Sequence, residues 1–277
     1  STYRPTSAQS VHSVQSRKCS EWREPTVIAS PKLLLLLATL LPRCGLLLAC
    51  PAPMTLTVVN NCAYPIWPGI QGSAGSEVPA RGGFFLPSLS QRSFPAPTPA
   101  WSGPTWARTG CTPAGAGQLR CATGDCGGRL QCGGLGGAAP ATLAQVSLHH
   151  GGDDQSSYGV SVVDGFNVGL SVTPHEGRGT CPVLACPDQL TCRCAPRRPA
   201  AAAWGGGVAA GRRCSPTSGT DELRTRDASP GPAACRPSKY SDCANNECPP
   251  AFTYAHDSPS LTHQCSAPRE LKVIFCH

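Results

Sequence analysis

Eighteen cysteines are the groups in this 277-residue chain with the most chemistry to offer. Thiolates hold zinc, attack electrophiles or pair as disulfides, and their spacing separates these roles. Zinc ribbons and fingers present paired Cys-x-x-Cys knuckles, and no two cysteines here have that spacing. With 30 glycines and 29 prolines in the same chain, the cysteines read as a disulfide framework made in an oxidising compartment. Its most informative stretch is Cys121 to Cys132, CATGDCGGRLQC, in which three cysteines surround a turn-forming Thr-Gly-Asp. Asp153-Asp154 beside His149-His150 invites a metal. Adjacent residues of a strand point to opposite faces and rarely co-ligate, so no metal site and no cofactor is assigned. The chain has neither the Gly-x-Ser-x-Gly turn of serine hydrolases nor a phosphate-binding P-loop.

The formal charge of +7 is unevenly placed: residues 1–53 hold six basic and two acidic side chains, which leaves +3 for the rest. Arg193, Arg197, Arg198, Arg212, Arg213, Arg224 and Arg226 form a local basic run. Aromatic side chains for base stacking are nearly absent from it, so it reads as a solvated loop or as sequence foreign to the fold, and no nucleic-acid partner is expected.

Lys32 precedes the apolar run Leu33–Leu41, and Leu46–Ala49 follows after Pro42-Arg43. Residues 32–53 therefore read as a secretory signal. Pro42 and Arg43 make the run too short for one clean membrane helix, so no stable span is expected in the mature chain. Residues 1–31 are polar, lack apolar periodicity and read as an out-of-place leader, disordered or a gene-model artefact.

From Met54 onward the pattern is that of strands. Met54–Val59 is rich in β-branched residues and ends at Asn60-Asn61. Ala141–His149, Tyr158–Val163 and Gly169–Val172 look similar, the last ending before Pro174. Glu270–Phe275 alternates, with Leu271, Val273 and Phe275 on one side. Gly/Pro/Ser loops divide these runs, and no capped amphipathic helix lies between Met54 and Val183. The expected fold is an all-β sandwich or barrel.

Asn60-Asn61-Cys62, the Tyr64–Gly69 that follows, Arg108–Cys111, the CATGDC core, Val163–Asn167 and the closing Val273–Cys276 stand in the order found in thaumatin-like proteins. The resemblance covers roughly Thr55 to His277. It implies a mainly β fold: an antiparallel β-sandwich with a disulfide-rich loop-and-helix second region, over residues 54–277. It also implies the bridges Cys62–Cys276, Cys111–Cys121, Cys126–Cys132, Cys181–Cys265 and Cys186–Cys248. Between residues 187 and 247 the pattern diverges. Cys194 and Cys235 match family positions, Cys214 matches loosely, and Cys192 and Cys243 look extra. Roughly Arg197 to Ser218 resembles a frame-shifted or mis-spliced patch, and residues 195–230 are expected to be the least ordered part of the body.

The family is a secreted plant defence group whose acidic cleft is built from one arginine, one glutamate and three aspartates. It is linked to antifungal action, β-1,3-glucan binding and, in some members, weak glucanase activity. At the matching positions this chain has Pro104 for the arginine, Gln145 for the glutamate and Gly159 for the first aspartate, leaving Asp164 and Asp257. Gln145 cannot ionise but can hydrogen-bond a sugar hydroxyl. Asp164 reads equally as a cleft acid or as a turn residue binding its own backbone. Asp257 reads equally as a cleft acid or a solvated loop acid. Tyr64, Trp67 and Trp101 could stack on sugars or be buried. The resemblance thus implies a secreted, extracellular or apoplastic monomer that binds a fungal-wall or other surface glycan without catalysis. The alternatives are a weak endo-β-1,3-glucanase, which hydrolysis of laminarin would reveal, and a product without function, which transcript sequence across residues 190–230 tests. N-terminal sequencing of secreted material is expected to begin near Met54; retention of Ser1 would contradict the signal reading.

Overall fold

A computed structural model describes residues 54–73, 76–98, 100–115, 117–149, 155–188, 190 and 239–277. The leader, the signal-like segment, Asp153, Asp154, His150 and the 197–218 patch lie outside the described residues. Two sheets pack on one core. The five-stranded sheet runs, in spatial order, β10 (Leu184–Cys186), β9 (Leu170–His175), β13 (Glu270–Phe275), β1 (Thr55–Asn60) and β3 (Ser90–Pro95). The six-stranded sheet runs β11 (Ala251–Phe252), β8 (Gln155–Ser161), β7 (Leu143–His149), β4 (Ala100–Arg108) and β2 (Trp67–Ile70), with β12 (His263–Ser266) also pairing with β8. Between them lies an interior of Leu56, Val58, Val172, Leu271, Val273 and Phe275 from one sheet and Trp101, Val146, Leu148, Tyr158 and Val160 from the other, all buried.

The protein is mainly β, as the sequence pattern implies, and the described part of 54–183 contains strands and one short 3-10 turn, Pro79–Gly82. Pairing is antiparallel except at β1–β13 and β8–β11, which run parallel. A parallel pair needs a long crossover, and β1 and β13 have nearly the whole domain as theirs. β9 does not stop before Pro174: the strand continues to His175, with Pro174 opposite Leu271. β10 covers only Leu170 to Val172, so Pro174 sits where β9 is already an edge on that side and no ladder donor is missing. A helix α1, Lys239–Glu247, buries Ala244 and leads into Cys248. No helix among the described residues is long and apolar enough to cross a membrane.

All five implied bridges are formed: Cys62–Cys276, Cys111–Cys121, Cys126–Cys132, Cys181–Cys265 and Cys186–Cys248. Cys243 is also disulfide-bonded, so it is not surplus. Cys111–Cys121 clamps a hairpin of β5 (Thr112–Pro113) and β6 (Leu119–Arg120). Cys62–Cys276 ties the ends of β1 and β13 with α-carbons 5.0 Å apart across 214 residues. In the chain-entropy account such a loop restricts the unfolded chain by about 5 kcal/mol. The double variant Cys62→Ala/Cys276→Ala is expected to lose stability of about that size in urea unfolding. A change below about 1 kcal/mol would show that strand pairing alone holds the two ends.

Candidate functional site

β4, β7 and β8 lie side by side, and their register sets the site. Pro104 faces Gln145, and Gln145 faces Gly159. The Gln71 N–H, just past β2, donates to Pro104 O at 3.0 Å, extending the row to Gln71-Pro104-Gln145-Gly159. The strands alternate as a half-buried sheet should: Ala144, Val146 and Leu148 are buried inward, while Gln145 is exposed.

At one end of this face the sheet is roofed by residues 121–138. Trp106 and Arg108 point outward from β4 yet are fully buried beneath that roof. Trp106 Nε1 donates to Gly124 O at 2.8 Å. Arg108 donates to Trp67 O (2.7 Å), Pro68 O (3.2 Å), Arg129 O (2.6 Å) and Leu130 O (2.8 Å), and to the Cys126 sulfur (3.2 Å). Burial pulls its pKa down to about 10, and the field of Asp125 works against that fall. Gly137 lies so close to the Trp106 ring that a Cβ there would overlap Nε1, so glycine is required.

The roof and the row enclose a groove of about 540 Å³ lined by Gln71, Pro104, Trp106, Asp125, Leu143 and Asp164, among others. Asp125 is a roof-building acid: it accepts from Cys121 N at 3.2 Å and from Gly128 N at 2.8 Å. Asp164 sits in the turn Val162–Gly165, closed by the Gly165 N–H to Val162 O at 2.9 Å, and its own carbonyl accepts from Ala141 N. Asn167 holds that turn in place. Its Oδ1 accepts from Thr142 N and Val168 N, and its Nδ2 donates to Ala107 O and Thr123 Oγ1. Sequence reasoning took Asp164 from this loop and passed over Asn167; a lone asparagine among apolar residues, Phe166-Asn167-Val168, was the available signal.

Asp257 does not line this groove. Its Oδ2 accepts from the N–H and hydroxyl of Thr253 at 2.9 Å each, and its Oδ1 from Ser258 N at 2.8 Å. Gln145 and Gly159 line a smaller neighbouring groove of about 180 Å³ with Ser147, Ser157 and Thr262. A Cβ at Gly159 would lie 3.1 Å from Phe252 Cε2 and 3.4 Å from Leu261 O. Of the aromatics, Trp101 is buried, Tyr64 is half-buried, and Trp67 is half-buried with its ring edge-on to Phe85 at 5.3 Å. Tyr158 points inward; its hydroxyl donates to Pro182 O at 2.7 Å, and burial pushes its pKa up to about 12. Among the described residues no group of three or more His, Cys, Asp or Glu could hold a metal ion.

The sequence matches the family described as Thaumatin family over residues 60–277. The chain belongs to the thaumatin family. It is 53% identical over 250 residues to an osmotin-like protein of Solanum lycopersicum, covering 90% of this chain and 99% of the relative. It is 38% identical over 224 residues to a glucan endo-1,3-beta-glucosidase of Prunus avium, covering 80% and 90%. It is also 38% identical over 221 residues to pathogenesis-related protein 5 of Arabidopsis thaliana, covering 79% and 89%. In this thaumatin-family chain Pro104, Gln145 and Gly159 stand side by side and form one row across the sheet.

Arg108 is the test of how the site is held. Arg108→Met removes the guanidinium donor from Trp67 O, Arg129 O and Leu130 O, while Pro68 O keeps the Phe84 N–H, and is expected to cost about 3–5 kcal/mol in urea unfolding. Arg108→Lys is expected to rescue less than half of that, because one ammonium cannot reach acceptors on both β2 and the roof. Full rescue by lysine would mean that charge, not the forked geometry, holds the roof.

Proposed function

We propose that this pathogenesis-related-type thaumatin-family protein is a secreted, apoplastic defence protein that binds a fungal-wall polysaccharide of the β-1,3-glucan class and does not hydrolyse it. The observation that carries the reading is the Pro104-Gln145-Gly159 row, where no side chain can ionise. Glycoside hydrolysis needs one carboxyl as acid and a second as base or nucleophile across the scissile bond. The acids lining the groove are Asp125 and Asp164, and Asp125 spends its oxygens on the backbone of its own loop. Asp257 is engaged with Thr253 and Ser258 outside the groove. What remains on the sheet, Gln145 and its hydroxyl neighbours, binds sugar hydroxyls well and transfers no proton. Gln145, Asp164 and the polar floor around them are the proposed glycan contacts.

The second reading, a weak endo-β-1,3-glucanase, is favoured by the name of the Prunus avium relative. Laminarin and curdlan separate the two. The refolded protein is expected to be retained on insoluble curdlan while releasing no reducing ends from laminarin above the buffer rate. Gln145→Glu is expected to leave turnover at that background, because a carboxyl at position 145 lines the smaller groove while Asp164 lines the larger one. Measurable hydrolysis by the wild type, abolished by Asp164→Asn, would replace binding with catalysis.

A further inference from the structure

We propose that the open face of the six-stranded sheet is a track for an uncharged polysaccharide chain, with Ser73, Ser102, Ser147, Ser157 and Gln264 as its specificity-determining groups. This rests on the binding reading above and extends it to a second row of residues. Next to Gln71-Pro104-Gln145-Gly159, one step along the strands, lies a row made almost wholly of serine. Ser102 faces Ser147, Ser147 faces Ser157, and Ser157 faces Gln264. Ser73 joins it from beyond β2, with its hydroxyl 2.7 Å from that of Ser102 and its N–H on Ser102 O. The row therefore crosses β4, β7, β8 and β12 without a break.

All five side chains are exposed or half-exposed, whereas their strand neighbours Trp101, Val146, Leu148, Tyr158 and Cys265 are buried. Strands stand about 4.8 Å apart and a two-residue step is about 6.8 Å, so the two rows set hydroxyls and amides on a regular grid. The small groove of about 180 Å³ has groups from both rows in its walls: Gln145 and Gly159 from one, Ser147 and Ser157 from the other.

The chemistry of the grid selects its occupant. Neither row contains Asp, Glu, Lys or Arg, so a charged partner gains nothing from it. It also lacks the apolar centre that a protein partner would bury. A hydroxyl is a donor and a double acceptor that rotates to suit, and an amide offers both roles. These groups match the ring hydroxyls of a neutral glycan. The Ser73–Ser102 contact, and Ser147 Oγ at 3.2 Å from His149 Nε2, hold part of the grid in orientation before binding.

The test is retention on insoluble curdlan by the wild-type protein and by Ser147→Ala/Ser157→Ala, each checked for an unchanged Tm. Removing two hydroxyls is expected to weaken retention about tenfold. Wild-type retention is expected to change less than about twofold between about 0.05 M and about 1 M NaCl, because the glycan carries no charge to be screened. If the double variant fails to fold, Ser102→Ala serves in its place, with a loss of about threefold expected. Undiminished retention of a folded variant overturns the track while leaving glucan binding intact. A steep loss of wild-type retention with salt overturns neutral recognition. If the wild type is not retained on curdlan, a panel of xylan, mannan and cellulose decides. Retention on one of them that is lost in the variant keeps the track and overturns the β-1,3-glucan reading; retention on none overturns both.

Discussion

The Arg108 guanidinium enters the interior without a carboxylate in contact and is held there by dipoles. Four carbonyls and a sulfur surround it, two of the carbonyls from β2 and two from the loop after Cys126. A segment such as CGGRLQCGGLGG has too few apolar side chains to dock by burial alone. It docks instead because leaving a desolvated cation unpaired costs several kcal/mol. That constraint places the roof and covers Trp106. It also brings Asp125 and Leu135 to the edge of the groove opposite Asp164. The groove is thus a by-product of one buried charge and two short disulfides, rather than of a large hydrophobic interface.

The sheets supply the rigid reference for this arrangement. β1 lies between β3 and β13, so the first strand of the domain is an interior strand of its sheet and is completed only when the last strand arrives. Asn60, at the end of β1, donates to the carbonyls of Tyr64, Leu86 and Pro87 and accepts from Cys62 N. One buried amide therefore fixes the path of the chain from β1 into Cys62 and the bridge to Cys276. Stability in this half rests on a bridge that spans 214 residues, whereas the two disulfides of the roof region span only 10 and 6.

Legibility in the sequence followed packing. β7 and β13 alternate cleanly because one face of each meets the interior and the other meets water or polar neighbours, whereas β1, with Leu56, Thr57 and Val58 all buried, is legible from its β-branched residues. β4 was not legible, although it is the longest strand: Gly103 and Pro104 interrupt it, and its outward Trp106 and Arg108 are buried under a loop that no strand pattern announces. β3 is an edge strand whose Gln91, Arg92 and Ser93 face water, leaving Phe94 as its one buried residue. The positions of the cleft row could be taken from the family motifs, but their alignment side by side could not, because register is a property of pairing between strands distant in the chain. Asn167 escaped notice for a related reason. Apart from the adjacent Val168, its partners Thr142, Ala107 and Thr123 lie 25 to 60 residues away and become neighbours only after folding.

The snug fit of Gly159 against Phe252 also couples two positions in descent. With a Cβ at residue 159 only 3.1 Å from the ring edge, an aspartate there has to wait for the ring to move or shrink. A side chain at that point requires the β11 ring to give by a few tenths of an ångström. Shrinking Phe252 on its own opens a gap beside β8 and brings no new chemistry with it. What residue 159 can carry is therefore set by the residue at 252 as much as by its own strand, so the character of the sheet face is decided partly from β11.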